Sequence, residues 1–131
     1  QRLCGFAIET EEDMLRAAQA IGATLSGAVL VKGGHLSAAA DDLLWQRGEE
    51  RWFKAPRVDN PNNHGSGCTL SSAIASFLAL GEDLPGAVGK AKQYITAAME
   101  ARLDLGRGSG PLWHNYAIPQ GGAVETGRAE R

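Results

Sequence analysis

Apolar residues recur at helical spacing in three stretches of the chain and run together without alternation in a fourth. Met14, Ala17, Ala18 and Ile21 fall on one face of a predicted helix. Thr10, with Asp13 three positions later, has the form of a capping box at its start, Asp standing for the usual Glu or Gln, and Gly22 marks its stop. Leu70, Ala73, Ile74, Phe77 and Leu78 line a second helix that Gly81 terminates. Leu84, Ala87, Val88, Ala91, Tyr94, Ile95 and Ala98 line a third, with Pro85 in the first turn, where its missing N–H is tolerated. Ala28-Val29-Leu30-Val31 is short and continuously apolar, the pattern of a strand covered on both faces in a parallel sheet.

The stretch 42–54 changes character. Leu43-Leu44-Trp45 and Arg51-Trp52-Phe53 flank Arg47-Gly48-Glu49, which predicts an antiparallel hairpin at a sheet edge. Its aromatic residues Trp45, Trp52 and Phe53 are expected to cover the hairpin face, with a flap over a bound nucleotide as the alternative. Residues 55–63 carry two prolines, two aspartate or asparagine pairs and little apolar content, so they read as a loop. Gly106-Arg107-Gly108-Ser109-Gly110-Pro111 breaks the helical pattern again, and after Pro119 the composition is that of a mobile tail. The division expected is an α/β domain over 1–118 followed by a flexible tail, 119–131.

Composition narrows the possible partners. The 131 residues carry a formal charge of −2 with no Lys/Arg cluster, which argues against a nucleic-acid surface. No apolar run has membrane-spanning length and no signal-peptide pattern opens the chain. Cys4 and Cys68 lie far apart, as expected of reduced thiols in a cytoplasmic protein, with an occasional bridge left open. The chain starts at Gln1, close to a structured element, and reads as part of something longer.

Candidate chemistry concentrates in His64-Gly65-Ser66-Gly67-Cys68-Thr69, directly before the second helix. Two glycines around a small hydroxyl residue let the backbone turn tightly and present N–H groups outward. At a helix start these N–H groups meet the positive dipole end and make an anion site. Phosphoryl transfer, which is mostly positioning and charge stabilisation, suits such a cradle beside a proton acceptor. Cys68 has three possible roles: a small packing residue, a general base toward an acceptor hydroxyl, or a covalent nucleophile with His64 as its base. The spacing is not that of a Walker A loop, which requires Gly-x-x-x-x-Gly-Lys-Ser/Thr.

Lys32-Gly33-Gly34-His35 leaves the apolar strand at its carboxyl end, where ligands bind in open α/β sheets. The segment brings either an ammonium and free N–H groups to phosphates or simply a solvated turn. His35, His64 and His114 read first as turn or hydrogen-bonding residues, and Asp42 and Asp59 as turn or cap residues. The histidines and cysteines lack zinc-site spacing, so no protein-held metal is expected.

Val31-Lys32-Gly33-Gly34-His35-Leu36, then 62–75 with its His-Gly-Ser-Gly-Cys-Thr-Leu core, then Ala91-Lys92-Gln93-Tyr94-Ile95 resemble the C-terminal part of hydroxymethylpyrimidine/phosphomethylpyrimidine kinase of thiamine biosynthesis. Gly108-Ser109-Gly110-Pro111-Leu112-Trp113-His114 and the helix around Glu12-Asp13-Met14 match in character. The resemblance extends to about His114 and implies the C-terminal part of a ribokinase-like α/β three-layer sandwich with a mostly parallel sheet. It implies transfer of the γ-phosphoryl of ATP, with Mg2+, to the hydroxymethyl group of a small aminopyrimidine and then to the resulting monophosphate. Gly65, Ser66 and Gly67 would form the anion hole, Cys68 would hold the base position, and Lys32, Gly33, Gly34 and His35 would lie along the nucleotide. A cytoplasmic homodimer is implied for the full-length form. Family members are about twice this length, and the part not present here supplies most of the pyrimidine-binding residues. The rival readings are a pyridoxal or pyridoxine kinase of the same fold, a non-catalytic nucleotide-binding fragment, and a cysteine hydrolase or transferase built on Cys68 and His64.

Overall fold

The computed structural model describes residues 1–34, 40–103, 105 and 108–119. His35 and Leu36, and all but the first residue of the expected tail, lie outside them. Six elements follow in the order α1 (Glu11–Gly22), β1 (Val29–Val31), β2 (Asp42–Gln46), β3 (Glu49–Phe53), α2 (Ser66–Ala79) and α3 (Leu84–Glu100).

Helix α1 begins as its sequence dictates. The Thr10 hydroxyl accepts from the Asp13 N–H at 3.1 Å, and the Asp13 carboxylate accepts from the Thr10 N–H at 3.2 Å. The predicted hairpin forms with Arg47 and Gly48 at its tip, both at positive φ (53° and 87°). Two successive left-handed residues are what a tight two-residue hairpin turn needs. Helix α2 ends in a Schellman motif around Gly81 (φ 94°), whose N–H reaches Leu78 O while that of Glu82 reaches Phe77 O. Asp83 caps α3 through the Gly86 N–H at 2.8 Å.

The strands form one antiparallel sheet in the order β1-β2-β3. Strand period sorts its residues into two faces. Leu43, Trp45, Val31 and Trp52 pack with Met14 and Ala18 of α1. On the opposite face Leu30 joins the larger core of Leu70, Ala91, Ile95, Ala98 and Leu112, where α2 and α3 meet, and Phe53 lies against Gly89 of α3. The result is α1, sheet, and the α2–α3 pair in three layers.

Gly22 closes α1 as its last residue, as expected, and a Cβ there would stand 2.7 Å from the Trp45 ring. Three expectations need correcting. Strand β1 is packed from both faces, yet its described partner β2 runs antiparallel to it, because residues 32–41 are too few for the crossover that parallel pairing requires. Leu78 is 42% exposed, since α3 covers the Leu70–Ile74–Phe77 side of α2 and leaves Leu78 beyond its edge. Trp45, Trp52 and Phe53 pack on helices, so they form no flap.

Candidate active site

The turn before α2 takes the conformation its glycines allow. Gly65 is the helix N-cap at φ 78°, ψ 6°, a left-handed geometry that costs an L-residue about 1–2 kcal/mol. Its carbonyl accepts from both the N–H and the hydroxyl of Thr69 at 2.9 Å, and Ser66 N–H is tied back to Asn63 O at 3.2 Å. The N–H groups of Gly67 and Cys68 therefore have no partner among the described residues and stand at the positive end of a fourteen-residue helix.

Lys32, far away in sequence, comes to this turn. A Cβ placed on Gly67 would lie 2.9 Å from Lys32 Nζ, so the ammonium rests against bare glycine backbone. Lys32, Gly33 and Gly34 line one wall of a cavity of 520 Å³ whose other walls include Arg57, Asn63, Ser66 and Lys92. Of the residues expected along a nucleotide, Lys32 thus meets the expected anion turn, Gly33 and Gly34 share a cavity with its Ser66, and His35 lies outside the described residues. The volume falls within the range usual for small-molecule sites.

Cys68 faces elsewhere. Its exposed thiol lines a second groove of 450 Å³ with Thr69, Ser72, Phe77, Tyr94 and His114. The start of α2 accordingly divides two hollows, with Ser66 on one and Cys68 on the other. Among the described residues no hydrogen bond joins Cys68 to His64, whose nearest structural role is a parallel bridge to Pro111. Tyr94 Oη donates to the His114 carbonyl at 2.9 Å.

Two features escaped the sequence reading. Asp42, expected at a turn or cap, is the first residue of β2 and is buried in an ion pair with Lys92 Nζ at 2.6 Å. Lys92 occupies the inward stripe of α3 between Val88 and Ile95, and a lysine on an otherwise apolar stripe was the available signal. Asn60 and Asn62 are also buried. Asn60 Nδ2 reaches Met99 O at 2.7 Å, Asn62 Nδ2 reaches Leu103 O at 2.7 Å, and Asn62 Oδ1 accepts from Gly110 N–H at 2.8 Å. These bonds fasten the loop ahead of the glycine turn to the last turn of α3 and to the chain that follows it. No trio of His, Cys, Asp or Glu side chains converges as a metal cluster among the described residues.

Known structures share this fold. The pyridoxal kinase of Bacillus subtilis, solved as an ADP complex, superposes with a TM-score of 0.79 at 32% identity, covering 86% of this chain and 43% of that one. The phosphomethylpyrimidine kinase of Clostridium difficile 630 superposes with a TM-score of 0.58 at 39% identity, covering 72% and 36%. The fold is ribokinase-like, an α/β sandwich found in small-molecule kinases.

The sequence is more specific. The profile of the phosphomethylpyrimidine kinase family matches residues 1–113, and the chain belongs to that family. The hydroxymethylpyrimidine/phosphomethylpyrimidine kinase of Streptomyces coelicolor is 47% identical over 117 residues, covering 89% of this chain and 44% of that protein. This chain spans under half the length of each of these relatives. No described helix is long and apolar enough to cross a membrane.

Proposed function

We propose that this chain carries the nucleotide-binding and phosphoryl-transfer half of an ATP-dependent kinase. Its acceptor is the hydroxymethyl group of 4-amino-5-hydroxymethyl-2-methylpyrimidine and then the resulting monophosphate. The observation that carries the proposal is the approach of the Lys32 ammonium to Gly67, at the open N-terminus of α2, beside a 520 Å³ cavity that Lys32 and Ser66 both line. Family membership and the 47% identity to a kinase of this name favour the pyrimidine over pyridoxal.

In this reading ATP supplies an activated γ-phosphoryl group. The Gly67 and Cys68 N–H groups donate to its oxygens as charge moves onto them, and the Lys32 ammonium balances that charge from the cavity side. Gly67 lacks the Cβ that would displace the ammonium. Cys68, on the far side of the same turn, accepts the proton of the acceptor hydroxyl. Asp42 is the sole carboxylate along the described cavity wall, and it is already held by Lys92 and the Gly33 N–H. Mg2+ bound with the nucleotide would be held mainly by phosphate oxygens and water, its usual mode at nucleotide sites.

The test is mass-spectrometric. The chain is incubated with Mg-ATP and a mixture of the hydroxymethylpyrimidine, its monophosphate, pyridoxal and pyridoxine, with Cys68→Ala as control. Cys68-dependent phosphorylation of the pyrimidines supports the reading. Phosphorylation of pyridoxal alone would replace it with the vitamin kinase.

A further inference from the structure

A buried ion pair on the cavity wall does something that apolar packing could not. Asp42 is 4% exposed and Lys92 9%. Removing both charges from water is costly, and an apolar pair of similar volume often serves stability as well or better. Stability alone therefore does not account for a lysine on the inward stripe of α3.

The bonds around the pair suggest what does. One oxygen of Asp42 takes Lys92 Nζ at 2.6 Å, and the other accepts from the Gly33 N–H at 2.8 Å. Lys92 Nζ also donates to the carbonyl of Ala40. Gly33 and Ala40 bracket the connection between β1 and β2, so the pair grips that connection at both ends. Gly33 has little freedom there, because a Cβ on it would stand 2.0 Å from the Asp41 carbonyl oxygen. The next residue, Gly34, is left-handed at φ 90° and passes its carbonyl to Arg57 at 3.1 Å. Lys32 immediately precedes the gripped amide and is the residue whose ammonium reaches Gly67.

We propose that Asp42 and Lys92 are a positioning pair whose task is to set the backbone of the Lys32-Gly33-Gly34 corner through the Gly33 amide. They thereby hold the Lys32 ammonium against the anion turn. The clause about the anion rests on the nucleotide reading above; the clause about the corner does not. Asp42 is the operative member. Lys92 holds the Asp42 carboxylate in place through the ion pair.

Two double variants separate this role from simple packing. Asp42→Leu with Lys92→Met removes both charges and the acceptor for Gly33. Asp42→Asn with Lys92→Met removes both charges and keeps an acceptor. Hydrogen exchange of the Gly33 amide is followed by NMR, and ADP affinity by calorimetry, with the fold checked by circular dichroism. Loss of the acceptor is expected to unprotect the Gly33 amide and to weaken ADP by up to about tenfold, the upper range for one hydrogen bond. The Asn variant is expected to retain slow exchange and most of the affinity.

A Leu variant with native Gly33 protection and native ADP affinity would overturn the proposal, as would equal losses in both variants. Rapid exchange of the Gly33 amide in the folded native chain would overturn it without any variant. If the native chain binds no ADP, the nucleotide reading fails, and Gly33 protection alone then decides for or against the pair.

Discussion

Replacing Gly67 with alanine separates binding from folding more cleanly than any other change to this chain. The added Cβ meets one atom, Lys32 Nζ, at 2.9 Å. That atom ends a flexible side chain, so the ammonium swings away and the backbone stays in place. Alanine also has the higher helix propensity in the second position of α2, so stability holds or rises slightly. The ammonium must withdraw by roughly 1 Å to reach ordinary van der Waals distance from the new methyl. Retreat from about 3 to about 4 Å weakens its attraction to a phosphate oxygen by about 1.4 kcal/mol at an effective dielectric of about 20, or tenfold in affinity. The methyl itself crowds any phosphate approaching the Gly67 N–H, which adds to the loss. Calorimetric titration with ADP, paired with thermal unfolding, reads the two effects separately. A Gly67→Ala chain with unchanged melting and at least tenfold weaker ADP binding is the expected result. Unchanged affinity would refute the placement of phosphate at this turn, and loss of the fold would refute the reasoning about Lys32.

Other perturbations have equally distinct outcomes. Gly33→Ala places its Cβ 2.0 Å from a backbone oxygen that has nowhere to move, so thermal unfolding should show destabilisation of about 1–3 kcal/mol or more. Cys68→Ala should slow product formation by about a hundredfold or more while leaving ADP affinity intact; equal loss of both would make the thiol structural. Asp13 is held below the usual carboxylate range, first by the Glu9 N–H and then by the Thr10 hydroxyl. Because its folded value is depressed, its contribution is complete above the unfolded pKa of about 3.9 and disappears as pH falls through the lower folded value. Melting curves of native and Asp13→Asn chains should therefore differ at pH 6 and converge at the acid end; a constant difference would remove the carboxylate from the argument.

The parts of the fold that were legible in the sequence are those made by neighbours in the chain. The Thr10–Asp13 box, the Arg47-Gly48 hairpin tip and the stripes of α2 and α3 all depend on contacts within a few residues. The glycine turn ahead of α2 was legible for the same reason, since Gly65 acts through its own φ and the helix behind it. Pairings across long separations were not. The Asp42–Lys92 contact joins residues fifty apart, and the Asn62 bonds reach forty-one residues on to Leu103 and forty-eight to Gly110. Local pattern assigns Asp42 and Asn62 to turns because short polar side chains usually bond there, and it carries no information on a partner in another element. The opening of Cys68 and Ser66 onto different hollows was likewise hidden. Helical positions two apart point in directions about 200° apart, but only the packing of α3 decides what each direction meets.

Where ADP sits is the most direct test of the account. Its titration into the isotope-labelled chain, followed through backbone amide resonances, maps the site residue by residue. The account predicts saturable shifts at Gly33, Gly34, Ser66, Gly67 and Cys68, abolished or strongly weakened in Lys32→Met. Saturation with shifts confined to the groove between Ser72 and His114, or binding indifferent to Lys32, would contradict it.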